Sequence, residues 1–410
     1  IKDLSPATRY NVRVAAYVKN GSKLDLGTYS SSLEATTKPT AVTGVKQTAK
    51  SIDSITITWN TLKNVDGYRV YCYDQDGKLL SSPYVEENMY TATDVSGKYI
   101  YKVRAYIKMK GYTAWGDYSS GLQVYTKPVQ VSGLYESSAA TDRIVVKWTA
   151  VEGADGYRVC LYDESTKKYT ILGTTSGCSY TIKDLSPATR YNVRVAAYVK
   201  NGSKLDLGSY SPSLEATTKP TAVTGVKQTA KSIDSITITW NTLKNVDGYR
   251  VYCYDQDGKL LSSPYVEENM YTATDVSGKY IYKVRAYIKM KGYTAWGDYS
   301  SGLQVYTKPV QVSGLYESSA ATDRIVVKWT AVEGADGYRV CLYDESTKKY
   351  TILGTTSSCS YTIKDLSPAT RYNVRVAAYV KNGSKLDLGT YSSSLEATTK
   401  PTAVTGVKQT

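Results

Sequence analysis

The chain has 410 residues, with 51 Lys and Arg against 37 Asp and Glu for a net charge of +14, six Cys, 41 Tyr, and neither His nor Phe. Without His, catalytic triads, His-ligated metal sites and the commonest general base are excluded. The basic excess is diffuse, 22 cations against 17 anions in each 181-residue period, with none of the dense basic blocks that nucleic-acid binding needs.

Repetition organises everything else. The segment IKDLSPATRYNVRVAAY at Ile1 returns at Ile182 and Ile363, and residues 1–181 differ from 182–362 at three pairs of positions, Thr28/Ser209, Ser31/Pro212 and Gly177/Ser358. The chain is two full periods and the first 48 residues of a third. Within a period TTKPTAVTGV at Thr36 and YTKPVQVSGL at Tyr125 echo each other, so each period holds two units of about ninety residues.

In chain order, residues 1–38 carry alternating Tyr10, Val12 and Val14, and a Pro-containing segment follows. From Thr40 to Pro128, SITITW sets Ile55, Ile57 and Trp59 on one face, GYRVYCY sets Tyr68, Val70 and Cys72, and KYIYKVRAY sets Tyr99, Tyr101, Val103 and Ala105. These are half-buried strands of period two, and Asp76-Gly77 supplies the positive φ angles of a tight hairpin. No helical stripe competes with them. The next unit repeats the scheme with Trp148, Tyr157 and Val159. No apolar run of about eighteen residues is present, and nothing at Ile1 reads as a signal peptide.

These residues resemble the fibronectin type III domain along the whole chain. The hallmarks are one inward Trp per unit (Trp59, Trp148, Trp240, Trp329), the Tyr157-x-Val159 strand, and the run from Leu185 through Ser186, Pro187, Thr189, Tyr191, Val193, Val195 and Ala197. The resemblance implies an all-β fold of tandem seven-stranded, immunoglobulin-like β-sandwiches. It also implies that Tyr191 closes a tyrosine corner near Leu185, with Tyr99 at that place in the shorter variant. The domains expected are 39–128, 129–220, 221–309 and 310–401, flanked by partial domains at 1–38 (strands E to G) and 402–410 (strand A). Such ends read as a window cut from a longer array.

Acidic pairs at Asp74/Asp76, Glu86/Glu87 and Asp163/Glu164 sit in predicted turns. Asp74-Gln-Asp76-Gly77 lacks the remaining ligands and closing Glu of a calcium loop. No cofactor or metal is expected. Cys72 and Cys253 read as small core residues. Cys160 lies between inward Val159 and Leu161 and so points outward, whereas Cys178 has inward parity; that mismatch argues against a bridge between them and leaves their pairing open. Asn20-Gly-Ser22 is a formal glycosylation sequon on a hairpin loop, and Lys23-Leu-Asp25-Leu faintly resembles an acidic integrin-type loop though Arg-Gly-Asp is absent; both read as ordinary turn chemistry.

One motif stands out, Trp115-Gly-Asp-Tyr118-Ser, repeated at Trp296. It resembles the Trp-Ser-x-Trp-Ser box of cytokine-receptor members of the superfamily, in which aromatic rings and Arg side chains stack as a ladder. Lys102 and Arg104 alternate with inward Tyr101 and Val103 and so face outward toward Trp115 and Tyr118. The expected interaction face is Arg104, Trp115, Tyr118 and Trp296, chiefly a structural ladder and alternatively a ligand platform. The sister unit has Leu207 in place of Trp115 and keeps Tyr210 and Arg194.

The expectation is therefore a non-enzymatic extracellular stalk or fibre on a bacterial cell surface. Near-identical copies with GADGYRV and WGDYS resemble repeats of large Gram-positive surface proteins. Expected partners are the chain itself, through filament contacts, or anionic cell-wall or extracellular polysaccharide; nucleic acid and membrane insertion are not expected. The alternatives are an adhesin for glycan, matrix or self-association, and a spacer in a secreted polysaccharide-degrading enzyme.

Overall fold

A computed structural model describes residues 1–344 and 346–406, and those residues form strands and no helix. They divide into two compact units, one of Ile1–Ala139, Arg143–Asp184 and Arg190–Ala216, the other of Ala140–Asp142, Leu185–Thr189 and the chain from Thr217 onward.

The first unit opens with four short strands, β1 (Arg9–Val12), β2 (Tyr17–Asn20), β3 (Lys23–Leu26) and β4 (Leu33–Thr36). β1 pairs with β4 and β2 with β3, and no sandwich closes around them. A complete sandwich follows: β5 (Lys46–Lys50), β6 (Ser54–Thr58), β7 (Gly67–Tyr73), β8 (Leu79–Ser81), β9 (Tyr84–Val85), β10 (Met89–Thr93), β11 (Lys98–Met109), β12 (Tyr112–Trp115) and β13 (Leu122–Tyr125). One antiparallel sheet is β10-β6-β5; the other runs β12-β11-β7-β8, with β13 also on β11 and β9 also on β7. Pro83 separates β8 from β9 because it has no N–H to give the ladder, while its carbonyl still accepts from Val70 at 2.9 Å.

The period-two residues meet between the sheets. Ile55, Ile57, Trp59, Tyr68, Val70, Cys72, Tyr101, Val103 and Ala105 form one buried cluster, with Tyr99 packed at its edge. Trp59 meets Tyr68 edge to face at 5.3 Å, and the Tyr68 hydroxyl accepts the Leu62 N–H at 2.8 Å, so this buried phenol is not left unpaired. Burying one such aromatic contributes on the order of 2–3 kcal/mol.

The second sandwich is β14 (Tyr135–Ala139), β15 (Ile144–Lys147), β16 (Gly156–Asp163), β17 (Lys168–Thr175), β18 (Ser179–Ile182), β19 (Arg190–Asn201), β20 (Lys204–Leu207) and β21 (Leu214–Thr217). Its sheets are β14-β15-β18 and β17-β16-β19-β20, with β21 on β19. With no proline in its path, β17 is one continuous strand. The second unit repeats both sandwiches, with buried clusters around Trp240 and Trp329.

The tyrosine corner implied at Tyr191 is seen in its copies. Tyr372 and Tyr10 accept the backbone N–H of Ser367 and Ser5 at 2.8 and 3.0 Å. In the shorter loop Tyr99 accepts from the Ser96 N–H and donates to the Ser96 carbonyl. Of the segment 402–410, residues 402–406 carry no strand and the remainder lies outside the described residues.

Candidate functional site

The outer face of the β7–β11 sheet carries the stacked side chains. Arg104 and Arg69 face each other across β11 and β7. The Arg104 guanidinium lies 4.1 Å from the Trp115 ring centroid, 4.7 Å from Tyr118 and 5.2 Å from Tyr71. Its Nε and Nη2 also donate to the Tyr71 hydroxyl at 3.0 and 2.6 Å. Arg69 continues the stack over Tyr71 and Tyr84, and Trp115 lies against Tyr106 and Tyr84. Each such pair contributes ~0.5–1 kcal/mol where exposed. Arg104, Trp115 and Tyr118 thus come together, whereas Trp296 belongs to the copy in the second unit, at 4.0 Å from Arg285.

Tyr71 and Tyr106 were not among the residues expected here, yet both are buried, on the face opposite the core. Their large apolar rings at outward parity, above a sheet also carrying Trp115, are the signal that this face is covered. Tyr84 and Tyr118 remain 54% and 43% exposed, which leaves an aromatic rim in solvent.

In the sister sandwich the correspondence differs from the expected one. The pairing register sets Ala196 opposite Arg158 as Arg104 stands opposite Arg69, so Arg194 occupies the place of Lys102, and Arg104 has no counterpart there. Arg194 instead lies 3.7 Å from the Tyr162 centroid, and Tyr169 stacks on Tyr210 at 4.4 Å.

Cys160 points away from the core as its parity required, but it is fully buried under Tyr210, whose hydroxyl lies 3.4 Å from its sulfur. Burial pushes the Cys160 thiol up, and burial, with the thiol beside it, pushes the Tyr210 phenol up to about 12. Cys178 is half-buried and its thiol meets Tyr157, and all six cysteines are free. Cys72 sits in the core with its thiol also pushed up by burial. Thiols held this way are poor nucleophiles.

The acidic turns are local structure. Asp74 Oδ1 accepts the N–H groups of Asp76 and Lys78, and of the expected Asp76-Gly77 pair only Gly77 takes a positive φ, +84°, because the Asp74 side chain already folds the turn around Asp76. Asp163 accepts from Ser165 and Thr166, bonds that pull its carboxyl down to about 2. No group of three or more acidic or Cys ligands able to hold a metal occurs among the described residues.

A second constellation lies where sandwiches join, and it uses the acidic residue of the Lys-Leu-Asp-Leu motif. Within the first unit Asp206 Oδ2 takes the Lys50 ammonium at 2.5 Å, the Tyr125 hydroxyl at 2.5 Å and Asn201 Nδ2 at 3.4 Å. Lys50 also lies 3.6 Å over the Tyr125 ring. Donation by Lys50 and then Tyr125 outweighs burial and holds the Asp206 carboxyl below its ordinary range, while burial and Asp206 push the Tyr125 phenol up. Beside it Lys98 pairs with Asp155, whose other oxygen accepts the Lys200 N–H at 2.8 Å. Burial opposes ionisation of Asp155, but Lys98 and the Lys200 N–H prevail and its carboxyl is lowered. Gly97 and Gly153 make this approach possible, since a Cβ on Gly153 would stand 2.7 Å from the Gly97 Cα. The second unit repeats the joint with Lys231, Tyr306 and Asp387, and with Lys279 and Asp336.

A joint of another composition links β1–β4 to the β5–β13 sandwich. Arg9 pairs with Asp66 at 3.3 Å, and Ala7 is buried against Ile107 and Ala114. In the second unit Ala188 packs likewise on Ile288 and Ala295.

With two-sheet sandwiches, inward Trp residues and tyrosine corners in view, similarity to known proteins adds the family. The model of the "Fibronectin type III domain" matches residues 129–212 and 310–394. Those two segments belong to that family. The sandwiches of the chain are similar to segments of the receptor-type tyrosine-protein phosphatase eta of Mus musculus, 23% identical over 94% of this chain and 30% of that protein. They are also similar to exoglucanase B of Cellulomonas fimi, 26% identical over 67% of this chain and 26% of that protein. Neogenin of Mus musculus is 28% identical over 54% of this chain and 16% of its own length. The chain thus spans less than a third of the length of each of these relatives. No helix among the described residues is long and apolar enough to cross a membrane.

Proposed function

We propose that the chain is a non-enzymatic, extracellular array whose fibronectin type III domains, 39–128, 129–220, 221–309 and 310–401, serve as a stalk or fibre at a cell surface, with a bacterial surface as the setting. The observation that carries this is the joint at Lys50, Tyr125 and Asp206, reinforced by Lys98 and Asp155. Two separated polar contacts at one joint oppose bending in more directions than the short Lys127-Pro128 connection alone. Relatives that include a receptor-type phosphatase and an exoglucanase share no single chemistry by name, and this favours a mechanical part common to all of them. With strands rising ~3.3 Å per residue, each domain adds roughly 30 Å of length.

Small-angle scattering of residues 39–401 tests the proposal. An extended, rod-like profile is expected, and a compact or freely jointed one would count against it.

A second reading is favoured by the exposed aromatic rim. Tyr84 and Tyr118, beside Arg104 and Trp115, form a surface on which a glycan, an anionic wall polymer or another copy of the chain could be held, making the array an adhesin. Under it, Trp115→Ala weakens adhesion without lowering the unfolding midpoint. The match to exoglucanase B supports a third role, as a spacer beside a polysaccharide-degrading domain.

A further inference from the structure

The period of the chain is twice the size of its domain, and the joints show a physical reason. We infer that the joint faces are of two kinds that each accept the other type of sandwich, so that the two types must alternate. This goes beyond the stalk reading, because it concerns which domain can follow which, whatever the array is used for.

Within each unit the joints share one contact. A cation at the start of the strand after the tyrosine-corner loop (Arg9, Lys98, Lys279) meets the Asp just before the Gly-Tyr-Arg-Val strand of the following sandwich (Asp66, Asp155, Asp336). That Asp is already held by a backbone N–H of its own domain, from Lys108, Lys200 or Lys381. This contact does not discriminate, since both types of sandwich supply both partners.

The second contact does discriminate. The register pairs Ile107 with Ala114 in β11 and β12, and Val199 with Asp206 in β19 and β20, so Asp206 stands where the other type has Ala114. On the opposing face, Lys98 pairs with Tyr125 as Arg9 pairs with Thr36, so Tyr125 stands where the other type has Thr. Lys50 ends β5 opposite Ile55 as Ala139 ends β14 opposite Ile144. The β5–β13 type therefore offers its successor Lys and Tyr, and the β14–β21 type offers Ala and Thr together with the buried Ala of its longer loop.

Exchanging partners leaves charge uncompensated. Two β5–β13 sandwiches in succession would press the Lys50 ammonium and Tyr125 hydroxyl onto Ile107 and Ala114, which provide no acceptor. Two β14–β21 sandwiches in succession would set alanines against Asp206 with its cation gone. Desolvating a charge without its partner is the kind of penalty that excludes a wrong neighbour. The loop alanine is shaped in advance: Ala7 and Ala188 have φ +49° and +48°, and Ala369, which is exposed, has φ +48° as well. The turn adopts that conformation without a domain packed on it.

The test uses the full chain with residues 129–220 isotopically labelled, and reads hydrogen exchange of the Lys200 and Asn201 amides by NMR with core Val159 as reference. Lys50→Ala with Tyr125→Thr gives the β5–β13 face the side chains of the other type. It should speed exchange at Lys200 and Asn201 about tenfold relative to Val159 by leaving Asp206 unpaired. Adding Asp206→Ala should bring the rates back to within about threefold of the parent, because removing both partners of a half-buried pair is nearly neutral. A charge exchange, Lys50→Asp with Asp206→Lys, should likewise retain protection. Unchanged exchange in the first variant, or exchange in the triple variant as fast as in the first, would overturn the alternation rule. A compact scattering profile would defeat the stalk and leave this result standing.

Discussion

The same amino acids occur at residues 1–26 and 182–207 up to the end of the hairpin, and they fold differently. In the complete sandwich they make β19, one twelve-residue strand in which Val195, Tyr198 and Val199 are 0%, 6% and 3% exposed. In the opening segment the equivalent strand breaks into β1 and β2, and Val14, Tyr17 and Val18 are 70%, 60% and 72% exposed. The hairpin pairing survives in both, Tyr17 opposite Leu26 and Tyr198 opposite Leu207. Local sequence therefore encodes the turn and the short pairing, while the long continuous strand requires its hydrogen-bonded neighbour β16 and the facing sheet. Strand propensity reflects the packing of a pleated surface more than backbone preference.

The strongest way to break this comparison is to make one change in both places. Tyr198→Ala should cost its domain ~3–5 kcal/mol, as expected of a buried aromatic in a packed site. Tyr17→Ala should stay within about 0.5 kcal/mol, as at a solvated position. Denaturant unfolding of the two full-length variants measures the difference, and equal costs would mean that the opening segment is packed in solution. Hydrogen exchange sharpens the point without mutation. Because residues 17–26, 198–207 and 379–388 share one sequence, their common peptide should show two populations, one third exchanging fast and two thirds slowly. A single population would sink the contrast.

A smaller effect is expected from removing a ring that covers the outer face. Tyr106 holds the place of Tyr198 and is buried under Trp115, so Trp115→Ala should destabilise its domain by ~1–2 kcal/mol through lost apolar area and lost cation–π contact. Arg104→Ala should be partly redundant with it, and a double-mutant cycle on the unfolding midpoint should show coupling. Additive costs would mean that the ring and the guanidinium act independently.

The smallest effect is electrostatic. Asp206 is lowered by Lys50 and Tyr125, so its contribution is fully present above the ordinary carboxylate pKa of about 3.9 and is lost as pH falls through the lower folded value. A half-exposed pair of this kind contributes roughly 1 kcal/mol or less. An NMR titration of the Asp206 carboxyl should give a midpoint below the ordinary value, and Lys50→Ala should raise it. An unshifted midpoint would place Lys50 elsewhere in solution.

Much of the sandwich was legible because parity alone assigns a face. Ile55, Ile57, Trp59, Val70 and Val103 were expected inside from alternation and are buried. The stack of Arg104 on Trp115 was legible for the same reason. Parity gives one bit per residue, however, and says nothing of what lies over the outward face, which is why the burial of Cys160, Tyr71 and Tyr106 was missed. The Arg194 correspondence failed because a two-residue loop difference hides the register until the strands are paired. The joints were the least legible part. Lys50 and Asp206 lie 156 positions apart, and nothing in either segment announces the other.

The free thiols, four of the six buried, bear on how such a molecule would respond to load. No covalent staple limits how far a sandwich can unravel, so pulling on the two ends would draw out a whole domain of about ninety residues, to roughly 300 Å at ~3.3–3.6 Å per residue. Each unravelled domain would also bring Cys72 or Cys160 into solvent. The array is thus built with slack in reserve, and thiol labelling would count how many of its domains have yielded to tension.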